Sequence, residues 1–255
     1  MSRTVTAALL IIGNEILSGR TRDANLPYLA ERLNGVGVRL AEVRVVADDE
    51  DAIVAAVNAL RATCDYVFTT GGIGPTHDDI TAAAVAKAFG LPLVRNAQAV
   101  AILEAFYKDS DLELNEARLT MADMPEGAEL VDNPVSGAPG FSIGNVFVLA
   151  GVPSIMQAMF EGVKHRLVGG SPMRARTLAV DLPEGAIAAA LAAVQNDYPD
   201  VEIGSYPYYR SGAFGVKLVL RAVDDARLAA ALAALSEALA RLGANPLEEV
   251  DAGQA

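Results

Sequence analysis

Apolar positions along the chain switch repeatedly between unbroken runs and helical spacing. "TAALLII" (Thr6–Ile12) is a continuous apolar run, as expected of a strand covered on both faces. From Asn25 the spacing turns helical, with Leu26, Leu29, Ala30 and Leu33 on one face. Asn25 is a candidate N-cap, Pro27 suits a first turn, and "GVG" at Gly35–Gly37 ends the helix. "RLAEVRVV" (Arg39–Val46) reads as a second strand. "ADDEDAIVAAVNALRA" follows as a helix with an acidic start and an apolar face of Ile53, Val57 and Leu60. "DYVFTT" is a third strand, and Ile80, Ala84, Val85 and Phe89 mark the helix that ends at Gly90. Strands joined by helices in this way predict parallel βαβ units.

The pattern then changes. "AQAVAILEAFYKD" and Asn115–Met121 read as helices, whereas "GFSI" and "VFVLAG" flank Gly144-Asn145, a hairpin signal. "VPSIMQAMFEGVKHRL" returns to helix. The fold expected for residues 1–168 is three-layer α/β/α, with a mostly parallel sheet carrying an antiparallel addition. "VGGSP" (Val168–Pro172) reads as a linker. Residues 173–245 predict a smaller α+β domain of βαββα order, and "NPLEEVDAGQA" is expected to fray.

Of the 255 residues, 20 are Lys or Arg and 32 are Asp or Glu, a net charge of −12. A field of that sign repels nucleic acid and anionic membrane, so neither is an expected partner. It also disfavours a phosphorylated ligand unless a local device reverses it. The single Cys64 excludes an intramolecular disulfide and reads as a small buried thiol. Histidines at 77 and 165 are too few and too far apart for a zinc site. No apolar run approaches about 18 residues and no leader pattern opens the chain, so a cytoplasmic protein is expected. Tyr206, Tyr208 and Tyr209 read as an exposed aromatic patch suited to a subunit or domain contact.

"TTGGIGPTHDDIT" (Thr69–Thr81) carries the chemistry. It follows a strand and precedes a helix, at the sheet edge where α/β folds hold ligands. Glycines let amides approach an anion, and the helix adds the positive end of its dipole. Thr70, Gly71, Gly72, Ile73, Gly74, Pro75 and Thr76 are therefore candidates for a phosphate cradle. Thr76 and Asp79 also match a capping box, which would account for Asp79 without a ligand. Asp78 lies outside that explanation, and adjacent carboxylates beside an anion cradle suit a bridging divalent cation. Glu15, after the first strand, is a candidate third metal carboxylate or a base for water. Asn25 and Asp48 open onto the same edge; capping would account for one of Asp48 and Asp49. Gly137 and Pro139 in "NPVSGAPGF" offer a further wall, although an ordinary turn explains them as well.

Five ordered motifs carry a resemblance: "IIGNEILSGRTRDANLPYLAERLNGVGV", "VVADD", "TTGGIGPTHDDITAAAVAKAF", "NPVSGAPGF" and "LAGVPSIMQAMFEG". Over Ala7–Gly162 the chain resembles the MoaB/Mog molybdopterin-binding domain family. The branch it is most similar to comprises the N-terminal half of CinA and the corresponding domain of eukaryotic FAD synthases. The small C-terminal unit resembles the α+β domain that follows in CinA-type proteins. The resemblance implies a homo-oligomer with a nucleotide or pterin phosphate at the glycine loop. It further implies cleavage of a nucleotide pyrophosphate such as ADP-ribose or FAD, dependent on Mg²⁺, Mn²⁺ or Co²⁺ with K⁺ as an additional candidate. Mog-type members instead imply molybdopterin binding or adenylylation. By motif position it implicates Glu15, Asn25, Asp48, Gly71, Gly72, Gly74, Pro75, Asp78 and Asp79. His77-Asp78-Asp79 stands where Mog-type members tend to carry Arg-Asp, which favours the pyrophosphatase branch. No segment matches the CinA deamidase or the FAD-synthase adenylyltransferase domain, so neither activity is expected. A non-catalytic ligand-binding module is the remaining alternative.

Overall fold

The apolar run Val5–Ile12 forms strand β1, and six of its eight residues are buried. Its side chains divide between two cores: Ala8, Leu10 and Ile12 join one, Ala7, Leu9 and Ile11 the other. That is the period of two acting on a strand with both faces covered. A computed structural model describes residues 4–108, 112–210 and 213–249. The chain divides into two compact units, Met1–Gly170 and Ser171–Ala255.

After β1 the first unit continues through a helical turn α1 (Asn14–Leu17), α2 (Asn25–Gly35), β2 (Val38–Val46), α3 (Glu50–Thr63), β3 (Tyr66–Thr70) and α4 (Thr81–Phe89). It proceeds through β4 (Leu93–Arg95), α5 (Ala97–Lys108), α6 (Glu116–Leu119) and β5 (Asp123–Pro125). It ends with β6 (Glu129–Val131), β7 (Gly140–Ile143), β8 (Val146–Leu149) and α7 (Pro153–Val163). Six strands form one sheet in the order β2-β1-β3-β8-β7-β6. β2, β1, β3 and β8 are parallel, and β7 and β6 are added antiparallel. Helices α3, α4 and α5 pack on one face through Ile53, Leu60, Val85 and Leu103. Helices α2 and α7 cover the other through Leu29, Leu33, Met156 and Phe160. The architecture is the expected three-layer α/β/α.

The Gly144-Asn145 signal is a hairpin turn, with Gly144 at φ 56° joining β7 to β8. Asn145 anchors it by donating to the carbonyls of Arg61 (3.1 Å) and Cys64 (2.9 Å) at the end of α3. β4 and β5 pair antiparallel as a separate two-stranded ribbon, which the sequence pattern did not separate from its surroundings.

Two expected caps differ. The helix after β1 begins at Asn25 itself, with Ala24 in the cap position. Asp23 performs the capping, accepting from the Leu26 amide at 2.7 Å, and that frees Asn25 for another contact. Helix α4 begins at Thr81, so Thr76 is not its cap and the capping-box reading of Thr76 and Asp79 does not hold.

The second unit contains β9 (Arg174–Val180), α8 (Glu184–Asp197), β10 (Glu202–Arg210), β11 (Ala213–Ala222), α9 (Asp225–Arg241) and β12 (Leu247–Glu249). Its strands form an antiparallel sheet in the order β10-β11-β9-β12. Both helices pack against the sheet through Ile187, Val194, Leu228, Leu235 and Leu239. Leu247–Glu249 lie in the segment expected to fray, yet they pair with β9, and Glu248 and Glu249 form ion pairs with Arg176 and Lys217. Residues 250–255 lie outside the described ones. Tyr206 and Tyr209 are exposed, Tyr208 is half-buried, and the Tyr209 ring lies 4.7 Å from that of Phe214.

Candidate functional site

The loops that follow β1, β2, β3 and β8 leave one edge of the sheet, because those four strands run in the same direction. Hydrogen bonds tie them together. The Gly13 amide donates to Val46 O (3.1 Å) and the Asn14 amide to Asp48 Oδ2 (2.8 Å), which join the first two loops. Asn25 Nδ2 donates to Gly151 O (2.8 Å), and the Gly71 amide donates to Leu149 O (3.3 Å). Asp48 therefore braces the loop after β1, whereas Asp49 caps α3 by accepting from Ala52 N at 2.9 Å.

The glycine loop is stapled at both ends. Gly71 and Gly72 have φ of 102° and 67°, in the region that favours glycine. A Cβ on Gly71 would lie 2.2 Å from the Ile12 carbonyl oxygen, and one on Gly72 the same distance from Thr81 Oγ1. Thr81, fully buried, donates its amide to Gly72 O and its hydroxyl to Gly71 O, both at 3.0 Å. Further along, Asp79 Oδ2 accepts from the Thr76 amide (2.8 Å) and lies 2.6 Å from the Thr76 hydroxyl. Asp78 Oδ1 lies 2.5 Å from the same hydroxyl, and that hydrogen bond holds its carboxyl below the ordinary carboxylate value.

The candidate cradle is thus narrower than the motif. Of the amides from residue 71 to 76, that of Gly71 is engaged by Leu149 and that of Thr76 by Asp79, and Pro75 has none. The amides of Gly72, Ile73 and Gly74 have no acceptor among the described residues. These three residues line a cleft together with Asp79, Thr120, Met121, Asp123, Pro139 and Phe141. Asp123 reaches it from the β4–β5 ribbon and is gripped by Arg95, whose Nε and second guanidinium nitrogen meet its two oxygens at 2.7 and 3.1 Å. Arg95 also contacts Glu116 at 2.7 Å, and these two acids hold its guanidinium well above the usual arginine range. Nothing in the local sequence around Asp123 signals this position, because the ribbon that delivers it has strands of only three residues.

A second cleft opens at the same edge, enclosing about 350 Å³ open to solvent, and is lined by Glu15, Arg22, Asp23, Asn25, Thr70 and Gly151 among others. Glu15 curls back over Gly13, where a Cβ would meet its carboxylate at 2.5 Å. The sequence-predicted residues therefore separate. Gly72, Ile73, Gly74, Asp79 and Pro139 share the first cleft; Glu15, Asn25 and Thr70 share the second. Gly71 lies at the crossing between the two sets, while Pro75, Thr76 and Asp78 line neither. His77 projects into solvent, its side chain 98% exposed. Gly137, at φ 72°, sits in a turn organised by Asn133, whose side chain accepts from Val135 N and Ser136 N at 3.1 Å; Phe106 packs against it. The turn explanation is sufficient for Gly137. Among the described residues no three Asp, Glu, His or Cys side chains converge as a metal cluster, so Asp78, Asp79 and Glu15 do not form the expected triad.

With that geometry in view, the chain can be set beside known proteins. Residues 8–169 match the family model described as "Probable molybdopterin binding domain", and residues 172–248 match "FAD synthase, middle domain". A protein of Archaeoglobus fulgidus is 37% identical over 199 residues, covering 78% of this chain and 84% of its own length. A CinA-like protein of Syntrophus aciditrophicus is 37% identical over 210 residues; the match covers 78% of this chain and 50% of that relative. The crystal structure of the CinA protein of unknown function from Thermoplasma acidophilum superposes with a TM-score of 0.59 at 34% identity. That match covers 65% of this chain and 99% of that one.

Proposed function

The chain belongs to the molybdopterin-binding (MoaB/Mog) domain family, in its CinA-like branch with FAD-synthase-like relatives, and from that premise we propose that its first unit binds a nucleotide and hydrolyses the diphosphate linkage, as in ADP-ribose or FAD. The carrying observation is the run of three unpaired amides, Gly72 to Gly74, sharing a cleft with the carboxylate of Asp79. Short-range amide dipoles can hold phosphate oxygens in a protein whose net charge of −12 repels anions at long range.

Each part of the cleft has a role. The backbone at Gly71 and Gly72 is held by Thr81, so the amides are preorganised toward charge that grows on the phosphoryl oxygens. Thr76 fixes the orientation of Asp79 through its amide. Arg95 holds Asp123 in place through both of its carboxylate oxygens. The donor set in this cleft is all oxygen and suits a hard divalent cation, Mg²⁺, Mn²⁺ or Co²⁺, of the kind held by one or two carboxylates together with substrate phosphates. Asp79 and Asp123 would hold it, in place of the triad that included Asp78 and Glu15. When bound, such a cation supplies Lewis acidity toward a phosphoryl oxygen. K⁺, a homo-oligomeric state and a cytoplasmic location are part of the same reading. Among the described residues no helix is long and apolar enough to cross a membrane.

Purified protein incubated with ADP-ribose or FAD, K⁺ and each of the three divalent cations is expected to release AMP, read by anion-exchange chromatography. No AMP from either substrate with any cation overturns the hydrolase. A second reading has a pterin phosphate on the same amides and is favoured by the family match over residues 8–169. Saturable binding of molybdopterin without release of AMP from any nucleotide selects it.

A further inference from the structure

Strand β2 ends its sheet, with β1 on one side and no strand on the other among the described residues. The Val46 carbonyl accepts from the Gly13 amide at 3.1 Å, so the backbone of Val46 faces inward. The alternation along a strand then turns the amides and carbonyls of Val43 and Val45 outward, and those of Glu42 and Arg44 inward. An edge of this kind is a template for another strand.

The side chains of β2 are sorted by face. Val43 and Val45 stand beside Leu9 and Ile11, on the face covered by α2 and α7, yet they are 38% and 39% exposed. Glu42 and Arg44 stand beside Ala8 and Leu10 on the other face. Arg44 Nε donates to Glu42 Oε1 at 2.7 Å, and both side chains remain partly exposed. Ala41 has no partner on β1, because Leu40 pairs with Ala7 and Glu42 with Ala8. That bulge bounds the regular edge to residues 42–46, so any contact made there is short and its charges weigh heavily.

A second copy can add to this edge antiparallel, about a twofold axis. Pairing through the outward groups puts the axis at residue 42, 43 or 44. An axis at 42 sets Glu42 against its own copy, and an axis at 44 does the same to Arg44. Like charges directly opposite are destabilising. An axis at 43 pairs the two copies of Val43 through backbone hydrogen bonds and sets Glu42 opposite Arg44 on both sides. Those are the positions without backbone bonds, where facing side chains come closest. The four charges then alternate in sign around the axis, and the exposed valines meet on the other face. The backbone edge alone would accept many strands; the order Glu-Val-Arg is what selects a second copy.

We propose that β2 is a homodimer interface, joining two sheets antiparallel about Val43 with reciprocal Glu42–Arg44 pairs between subunits. This rests on the homo-oligomeric part of the reading above and not on the hydrolase.

The test is sedimentation velocity of the full chain over a concentration series, for wild type, Glu42→Arg, Arg44→Glu and the double exchange. Wild type is expected to dimerise. Each single reversal should raise the dimer dissociation constant about tenfold or more, and the double exchange should restore it. Oxidised Val43→Cys should form a disulfide between the two copies of residue 43, identified in the linked peptide by mass spectrometry so that Cys64 is not mistaken for it. A 43–43 distance of about 5.5 Å between Cα atoms permits that bond. A monomeric wild type overturns both the interface and the homo-oligomer, and leaves the hydrolase reading to its own assay. A trimer overturns the interface, because this pairing closes at two. Single reversals that dimerise like wild type also overturn it, as does a double exchange that fails to restore. If a single reversal lowers the melting temperature, the cross-link decides, and its absence overturns the proposal.

Discussion

The hydroxyl of Thr81, the first residue of helix α4, donates to the carbonyl oxygen of Gly71, the residue that leaves strand β3, at 3.0 Å. One buried side chain therefore closes a ten-residue loop across its base. Thr81→Val preserves shape and removes this bond, leaving the Gly71 carbonyl short of its partner. The expected cost is about 1–3 kcal/mol, a drop of about 2–10 °C in the melting of the first unit. Phosphate-ligand affinity should fall with it, because the amides of Gly72 to Gly74 lose their fixed base. A variant that melts with wild type removes the preorganisation argument.

Asp79→Asn separates the two roles of that side chain. Asparagine retains an oxygen that can accept from the Thr76 amide, now at 2.8 Å, so the loop should keep its shape. The negative charge is lost from the cleft. The expected outcome is a melting temperature within about 2 °C of wild type and AMP release lower by about 100-fold or more. Asp78→Asn, by contrast, alters a residue that lines neither cleft and should retain activity within about threefold of wild type on the same argument. Equal losses in the two variants would return the chemistry to an adjacent-carboxylate pair.

The layers of the first unit were legible because β1 is buried on both faces and the Gly144-Asn145 turn is sharply coded. The position of the glycine loop was legible for the same reason: a strand and a helix frame it. What single-chain pattern does not carry is the side of the Gly71–Gly72 crossing on which each neighbouring loop falls. Glu15, Asn25 and Asp79 all follow strand ends at one edge, yet the backbone places the first two on one cleft and the third on another. Asp123 was invisible because its partner Arg95 is 28 residues away and their strands are too short to display a period. The exchange of capping from Asn25 to Asp23 has a similar cause. Both residue types cap well, and only the Gly151 carbonyl decides which is occupied elsewhere.

Thr69 offers a contrast to its neighbour Thr70. It is fully buried, its Oγ1 has no partner, and it lines neither cleft. Thr69→Val should therefore raise stability by about 1 kcal/mol, or about 2–4 °C, with no change in affinity for ADP-ribose or pyrophosphate. A lower melting temperature would mean that the hydroxyl is satisfied by an internal water.

Glu161 links α7 to α2 and sets a pH dependence. The hydroxyl of Tyr28 donates to its Oε1 at 2.9 Å, Lys164 pairs with its other oxygen, and Arg32 lies 3.7 Å away. The Lys164 hydrogen bond, ahead of the Tyr28 hydrogen bond and the nearby charge of Arg32, holds the carboxyl below its ordinary value of 4.5. The folded state thus favours the ionised form. Its contribution is present above the unfolded value and disappears as pH falls through the lower folded one. The side chain is 37% exposed, so screening limits the contribution to about 0.2–1 kcal/mol. Glu161→Gln should melt about 1–4 °C below wild type at pH 7. The two proteins should converge as the pH falls below the lowered folded-state value, where both carry a neutral side chain. A gap that stays constant across that range would show that the charge of Glu161 is not its source, since glutamine can still accept the Tyr28 hydrogen bond at any pH.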